Sequence, residues 1–243
     1  MISERPSPDS PGGRAGSTCR LSVIVPAINE ARCLPATLAR VASDSAAEVI
    51  VVDGGSADDT VALARETGAR CLIAPPGRAV QMNAGAAKAS GDILLFLHAD
   101  TLLPPDYPLH VEAVLRESDV VAGAFRLAFD DPRRSLRLIA AGANLRSRLV
   151  RLPYGDQALF LRRETFADLG GFRELPIMED YDFVRRLRRR GRIALASGSV
   201  TTSSRRWLDR GTVRTTLVHQ CMILGWHLGI SAERLAGWHG RLE

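Results

Sequence analysis

The sequence predicts an α/β fold with a central, mainly parallel sheet flanked by helices. From residue 21 onward, short apolar strands alternate with amphipathic helical segments, which is the pattern of parallel βαβ units. Residues 92–97 (DILLFL) are apolar almost throughout, as expected of a central strand buried on both faces. With 243 residues, 46% of them hydrophobic and 24% charged, the chain is typical of a globular protein that buries a sizeable core.

The first half of the chain repeats the strand–helix unit. Residues 21–25 (LSVIV) form a β-branched run, and Leu34, Leu38 and Val41 then follow at helical spacing. A strand is predicted over 47–52, and Ser56 with Asp59 three residues later is a candidate capping box for a helix that ends near Gly68. A short strand over 69–74 leads into a Gly- and Ala-rich helix over 78–89, and the central strand over 92–97 follows.

The pattern of predicted elements changes in the second half of the chain. A helix is predicted over 104–118, a strand over 123–129, a basic amphipathic helix over 132–150, a strand over 157–163 and a short helix over 181–190. Residues 1–18, rich in Pro, Gly and Ser, are interpreted as a flexible tail rather than a signal peptide, so we expect a cytoplasmic protein. Residues 19–210 are expected to form one domain, of which 211–243 is a helical C-terminal extension.

Composition and spacing exclude several function classes. The four cysteines form no C-x-x-C pair, which argues against a zinc knuckle or a redox dithiol. No P-loop and no G-x-G-x-x-G after a strand is present, so the usual signatures of an ATPase or a dinucleotide oxidoreductase are missing. The net charge of +5 comes with few aromatic residues, which does not favour nucleic-acid binding. The apolar stretch over 217–230 is too short to span a membrane but is suited to a peripheral contact with one.

Polar side chains follow three of the predicted strands. Asn29 and Glu30 follow the first strand, Asp53 ends the second, and His98 and Asp100 follow the central one. Because ligands bind outside the carboxyl ends of parallel strands, we expect these groups to line one site. The alternative for each residue alone is a role in capping helices or making turns.

Five segments together resemble a known family. In order and spacing, the chain is similar to the family 2 glycosyltransferases of GT-A fold over most of residues 21–210. The GRAVQMNAG and FLHADT forms most resemble a bacterial subgroup described as radical-SAM/selenodomain-associated or arsenosugar-biosynthesis transferases. The segments are SVIVPAINE (22–30), VVDGGSADDT (51–60), GRAVQMNAGAAKASGDILLFLHADT (77–101), GDQALF (155–160) and MEDYDFVRRLRRRGR (178–192).

The resemblance implies a donor site with a divalent cation, Mg²⁺ or Mn²⁺. His98, Ala99 and Asp100 stand in the place of the family's D-x-D motif, which makes Asp100 the implied metal ligand. This chain departs from the pattern at His98, where the family commonly has Asp, and at Gly54, where the family often has a second acid. The other implied donor-binding residues are Pro26, Ala27, Asn29, Glu30, Asp53, Arg78 and Asn83.

The resemblance also implies the catalytic and acceptor groups. Glu179 and Asp180 match the family's E-D motif, in which the Asp is the catalytic base of inverting members. The alternative is that both acids only favour a helix N-terminus. Asp156 and Gln157 are expected on the acceptor side, together with Arg206 and Trp207. A structural role for Trp207 is an equally open interpretation.

These observations predict a metal-assisted, inverting glycosyltransferase. Its partners are expected to be a nucleotide-sugar donor and an acceptor that is a small molecule, a glycan or a lipid. Two alternatives remain open at this point. One is a non-catalytic nucleotide-sugar-binding module of the same fold, and the other is a sugar nucleotidyltransferase.

Overall fold

The computed structural model describes residues 20–43 and 47–242. Two interpretations from the sequence, the flexible tail over 1–18 and the position of Cys19, lie outside these residues. Within the described ranges, no helix combines the length and the apolar character that crossing a membrane requires.

The described strands form one mixed sheet, in the order β3-β2-β1-β4-β7-β6-β8-β5. β1, β2, β3 and β4 pair in parallel, as do β6 and β8, whereas β7 and β5 are antiparallel to their neighbours. The predicted α/β class with a mainly parallel sheet is therefore confirmed. The strands are β1 (Leu21–Ala27), β2 (Ala47–Asp53), β3 (Arg70–Ile73), β4 (Ile93–Phe96), β5 (Thr101–Leu102), β6 (Val120–Phe129), β7 (Phe160–Arg162) and β8 (Arg192–Thr202).

Helices cover both faces of this sheet. Successive residues of a strand point to opposite faces, so Val23 and Leu95 pack into the cluster beneath α1, α4 and α5, while Ile24 and Leu94 pack beneath α3, α6 and α7. The described helices are α1 (Leu34–Ala42), α2 (Thr60–Glu66), α3 (Arg78–Lys88), α4 (Tyr107–Leu115), α5 (Arg134–Val150), α6 (Arg163–Asp168), α7 (Glu179–Leu187), α8 (Arg205–Arg210), α9 (Thr212–His227) and α10 (Ala232–Leu242).

Two contacts fix the helices that carry the site. Gly85 lets α3 lie directly against β1, because a Cβ at this position would collide with the Ile24 side chain. On the same face, Met222 of α9 and Leu235 of α10 pack into the cluster that also holds Phe183 of α7. The C-terminal helices thus share the core beneath α7.

Two local predictions were wrong. The Ser56–Asp59 capping box does not form. α2 begins at Thr60 without a side-chain cap, and the Ser56 hydroxyl instead donates to Asp53. The strand predicted over 157–163 is shorter, because residues 155–157 form a 3₁₀ turn before β7. β8 and β5, which pair with each other at one edge, were not predicted from the sequence.

Candidate active site

The carboxyl ends of β1 and β4 open onto a cleft of about 360 Å³. A second cavity of about 280 Å³ adjoins it over the start of α7. The two cavities share Arg78, His98, Asp156, Arg206 and His219, so these residues stand between them. Predicted site residues that line the first cleft are Pro26, Ala27, Glu30, Arg78, His98, Ala99, Asp100, Asp156, Arg206 and Trp207, and Glu179 and Asp180 line the second cavity.

His98 and Asp100 lie in the segment after β4 and are half-buried. Burial, together with the charge of Arg78, lowers the pKa of His98 to about 4, so the imidazole is neutral near pH 7. The Asp100 carboxylate accepts a long hydrogen bond of 3.5 Å from the Thr101 hydroxyl. Within residues 20–43 and 47–242 there is no cluster of three or more His, Cys, Asp or Glu side chains placed to hold a metal ion.

Arg78 is the first residue of α3 and pairs with the catalytic candidate Glu179. Its Nε lies 3.1 Å from Glu179 Oε1, and its Nη1 lies 3.5 Å from His98 Nε2. Glu179 is only 2% exposed. Burial raises the pKa of Glu179, whereas Arg78 lowers it. In this arrangement Glu179 holds the Arg78 side chain at the boundary between the two cavities.

Asp180 is oriented by backbone amides. The Gly155 N–H donates to Asp180 Oδ2 and the Tyr181 N–H donates to Oδ1, both at 2.7 Å. A Cβ on Gly155 would lie 2.9 Å from Asp180 Oδ2 and 3.2 Å from His98 Nε2. Residue 155 therefore has to be small for Asp180 and His98 to approach each other.

Asp156 follows in the same turn and lies in a desolvated environment. Its Oδ1 is buried, and no described residue forms a hydrogen bond with it. Burial is the main reason that the pKa of Asp156 is raised to about 6, with the charge of Asp180 adding to the effect and Arg146 opposing it. A carboxyl group with such a pKa exchanges its proton near neutral pH.

Gln157 does not reach the cleft, contrary to the prediction that it contacts the acceptor. It is fully buried, its Nε2 donates to Phe125 O at 3.0 Å, and its Oε1 accepts from the Ser147 hydroxyl at 2.7 Å. These bonds anchor the turn that carries Gly155 and Asp156 to β6 and α5. Gln157 is thus placed to position its neighbours.

Three predicted donor-binding side chains also bond mainly to the protein. Asp53 is buried and accepts from the Gly55 N–H at 2.8 Å and from the backbone and hydroxyl of Ser56. Asn29 Oδ1 accepts from the Ala57 N–H at 2.8 Å. Asn83 exchanges two hydrogen bonds with the backbone of Phe172. They shape the loops around the cleft, and none of them lines it.

The other rim of the cleft combines charge and an aromatic ring. Arg205 Nη2 lies 3.6 Å from Glu30 Oε2. Burial, followed by the charge of Asp100, raises the pKa of Glu30, and Arg205 lowers it. Trp207 lines the cleft while its ring contacts Phe129 and His219 at centroid distances of 5.7 and 5.3 Å. Arg206 is exposed beside it.

Gln81 was not selected from the sequence. Its Nε2 donates to the carbonyls of Ala27 and Val52, at 2.9 and 2.8 Å, and so ties the ends of β1 and β2 together. The Gln81 amide fills the space in front of Gly54, within 3.1–3.2 Å of where a Cβ would stand. The spacing of three residues from Arg78 was the available signal, since such residues share one face of α3.

Comparisons with known proteins agree on one family. The model of glycosyl transferase family 2 matches residues 22–175. A PGL/p-HBAD biosynthesis glycosyltransferase of Mycobacterium bovis (strain BCG / Pasteur 1173P2) is 34% identical over 177 residues, which are 67% of this chain and 67% of that protein. An uncharacterized glycosyltransferase of Mycobacterium tuberculosis (strain ATCC 25618 / H37Rv) is 32% identical over 162 residues, which are 62% of this chain and 71% of that protein.

Solved structures show the same fold. A mannosyltransferase from Pyrobaculum calidifontis, in complex with GDP-Man and Mn²⁺, matches 75% of this chain with a TM-score of 0.61 and 22% identity. TarS 1-349 of S. aureus, in complex with UDP-GlcNAc, matches 76% with a TM-score of 0.62 and 19% identity. This chain spans 56% and 58% of the lengths of those two structures.

Proposed function

Because the chain belongs to glycosyltransferase family 2, we propose that it transfers a sugar from a nucleotide-sugar donor to an acceptor hydroxyl. The main structural support for this proposal is that segments 98–100, 155–156 and 179–180 meet between two adjoining cavities. A two-substrate reaction needs two such spaces with the reactive groups between them. Membership of the radical-SAM-associated subgroup is part of the proposal and depends on the GRAVQMNAG and FLHADT segments.

The donor is assigned to the first cleft, at the carboxyl ends of β1 and β4. Pro26, Ala27 and Glu30 form one wall, and Arg78 offers a cation to the diphosphate from the start of α3. Two structural neighbours support this assignment, since one is a complex with GDP-Man and the other with UDP-GlcNAc.

The residues present fit a divalent cation that the donor itself helps to bind. Asp100 would supply a hard carboxylate ligand and neutral His98 a ring nitrogen, and the donor diphosphate and water would be the further ligands of such an ion. A neighbour is a complex with Mn²⁺. When bound, Mg²⁺ or Mn²⁺ would neutralise charge on the departing nucleoside diphosphate.

Asp180 is assigned as the base, with inversion at the anomeric carbon. As the acceptor oxygen forms its bond to this carbon, the bond to the diphosphate oxygen breaks, and the acceptor proton passes to the Asp180 carboxylate. The Gly155 and Tyr181 amides hold that carboxylate in one orientation. Glu179 touches no reacting atom in this scheme and positions Arg78.

Asp156 is the neighbouring carboxyl group against which this assignment is tested. We expect Asp180→Asn to abolish transfer while nucleotide binding is retained, and Asp156→Asn to keep measurable transfer. Calorimetry with UDP and GDP, with and without Mn²⁺, and transfer assays with nucleotide sugars check both variants. Normal turnover of Asp180→Asn would refute the base assignment, and an absence of nucleotide binding by the unmodified protein would refute the function.

A further inference from the structure

The outer face of α5 exposes leucines where a helix of a soluble domain usually exposes polar groups. Leu138, Leu145 and Leu149 are 74%, 57% and 70% exposed. At 3.6 residues per turn they fall within about 40° of one another, so they form one stripe along the helix. Single exposed leucines are common, but an aligned set on one helix face is typical of an interaction surface.

Folding does not require this stripe, because the inner face of α5 is anchored by other residues. Leu136 is fully buried there, and the Asn144 side chain exchanges hydrogen bonds of 2.7 and 3.0 Å with the backbone of Leu127 on β6. Ser147, also buried, donates to Gln157 Oε1 at 2.7 Å. The polar side chains of Asn144 and Ser147 thus face inward and are hydrogen-bonded, whereas the three leucines face outward into solvent.

The surroundings of the stripe are strongly cationic. Five exposed arginines stand on α5 or beside its ends, namely Arg133, Arg134, Arg137, Arg148 and Arg151. No acidic residue occurs between Asp131 and Asp156, and Asp131 faces Arg133 at 3.5 Å. Leucines flanked by arginines on one amphipathic helix are the combination that binds an anionic bilayer surface, since the leucines enter the acyl boundary and the arginines meet lipid phosphates.

We propose that α5 docks this protein on an anionic membrane surface through Leu138, Leu145 and Leu149. The helix ends shortly before Tyr154, and Arg146 on its last turns lies 3.4 Å above the Tyr154 ring. The turn that carries Gly155 and Asp156 is bonded to the opposite, buried face of α5 through the Ser147–Gln157 hydrogen bond. The inference concerns the surface alone and does not depend on the chemistry proposed for the cleft.

The test is vesicle co-sedimentation of the 243-residue chain. One set of vesicles contains phosphatidylcholine alone, and the other also contains phosphatidylglycerol. We expect binding to the anionic set only, weakened by added salt. The triple variant Leu138→Gln, Leu145→Gln, Leu149→Gln should bind at least about tenfold more weakly. The control Leu109→Gln changes a leucine of α4 that is 65% exposed and should bind like the unmodified protein.

Three results of the vesicle assay would overturn the inference: no binding to anionic vesicles, undiminished binding of the triple variant, or equal weakening by Leu109→Gln. Light scattering in solution tests the other possible partner of the leucine stripe, a second copy of the chain. A dimer that dissociates in the triple variant would assign the stripe to a second copy of the chain and refute the membrane role. Circular dichroism of each variant verifies the fold, and calorimetric nucleotide binding remains a separate measure of the cleft.

Discussion

Asp156→Asn tests the electrostatics of the candidate site without an activity assay. Burial raises the pKa of Asp156 to about 6 in the folded protein, against an ordinary value of 3.8. The native state therefore holds this proton more tightly than the unfolded state does. Such a carboxyl group contributes its full stability below the unfolded pKa and loses it as the pH rises through the folded one.

The magnitude follows from the difference between the two pKa values. Two pKa units at 1.36 kcal/mol each correspond to about 3 kcal/mol of unfolding free energy, which the protein has lost by pH 7.5. About half of this loss has already occurred at pH 5. An amide at residue 156 cannot ionise, so Asp156→Asn escapes the loss. We expect the variant's gain in unfolding free energy to grow by about 1.5 kcal/mol between pH 5 and pH 7.5.

Urea unfolding at pH 5, 6 and 7.5 measures this gain for the variant relative to the unmodified protein. Asp209→Asn is the matched control, because it removes the same charge at an exposed site on α8. A difference in stability that is constant across the three pH values would show that Asp156 is not held in a desolvated environment. A difference that shrinks as the pH rises would contradict the sign of the argument.

Two substitutions test the geometry of the cleft. Gly155→Ala places a Cβ within 2.9 Å of Asp180 Oδ2, so we expect kcat to fall by about 100-fold while nucleotide affinity stays within a few-fold; an unchanged kcat in steady-state kinetics would refute the positioning argument. Gln81→Leu leaves two backbone carbonyls at the ends of β1 and β2 without their donor, which we expect to cost about 2 kcal/mol of unfolding free energy and to weaken nucleotide binding. Urea unfolding with and without UDP or GDP measures both effects, and a variant indistinguishable from the unmodified protein in both would contradict the role assigned to Gln81.

Much of the fold was predictable because its signals are local. The apolar runs over 21–25 and 92–97 are typical of buried strands. The spacing of Leu34, Leu38 and Val41 is typical of a helix with one buried face. β8, which lies between β6 and the edge strand β5, had a weaker signal, since its apolar run is confined to residues 193–196 and small polar residues and Gly198 follow. The capping box failed because α2 begins only at Thr60, and the Ser56 Oγ accepts from the Asn29 N–H while its hydroxyl donates to the Asp53 carboxylate.

The site was predictable to the same extent. His98, Asp100 and Asp180 were selected from motifs; Asp100 lines the first cleft, Asp180 the second cavity and His98 both. Gln157 and Asn83 also lie in segments that match the family, yet their amides bond to backbone groups far away in sequence. A motif gives the order of residues along the chain, whereas the partner of a side chain depends on which segments pack beside it.

The sequence by itself determined the α/β class, the family and the polar residues at the strand ends, because periodicity and motif spacing are properties of the chain. Only the tertiary structure decided that Asp180 and His98 both lie against Gly155, that Glu179 is buried against Arg78, and that Asp156 is desolvated. These features depend on distances of about 3 Å between segments up to about 100 residues apart and on the exclusion of water, and both arise only when the helices close over the sheet.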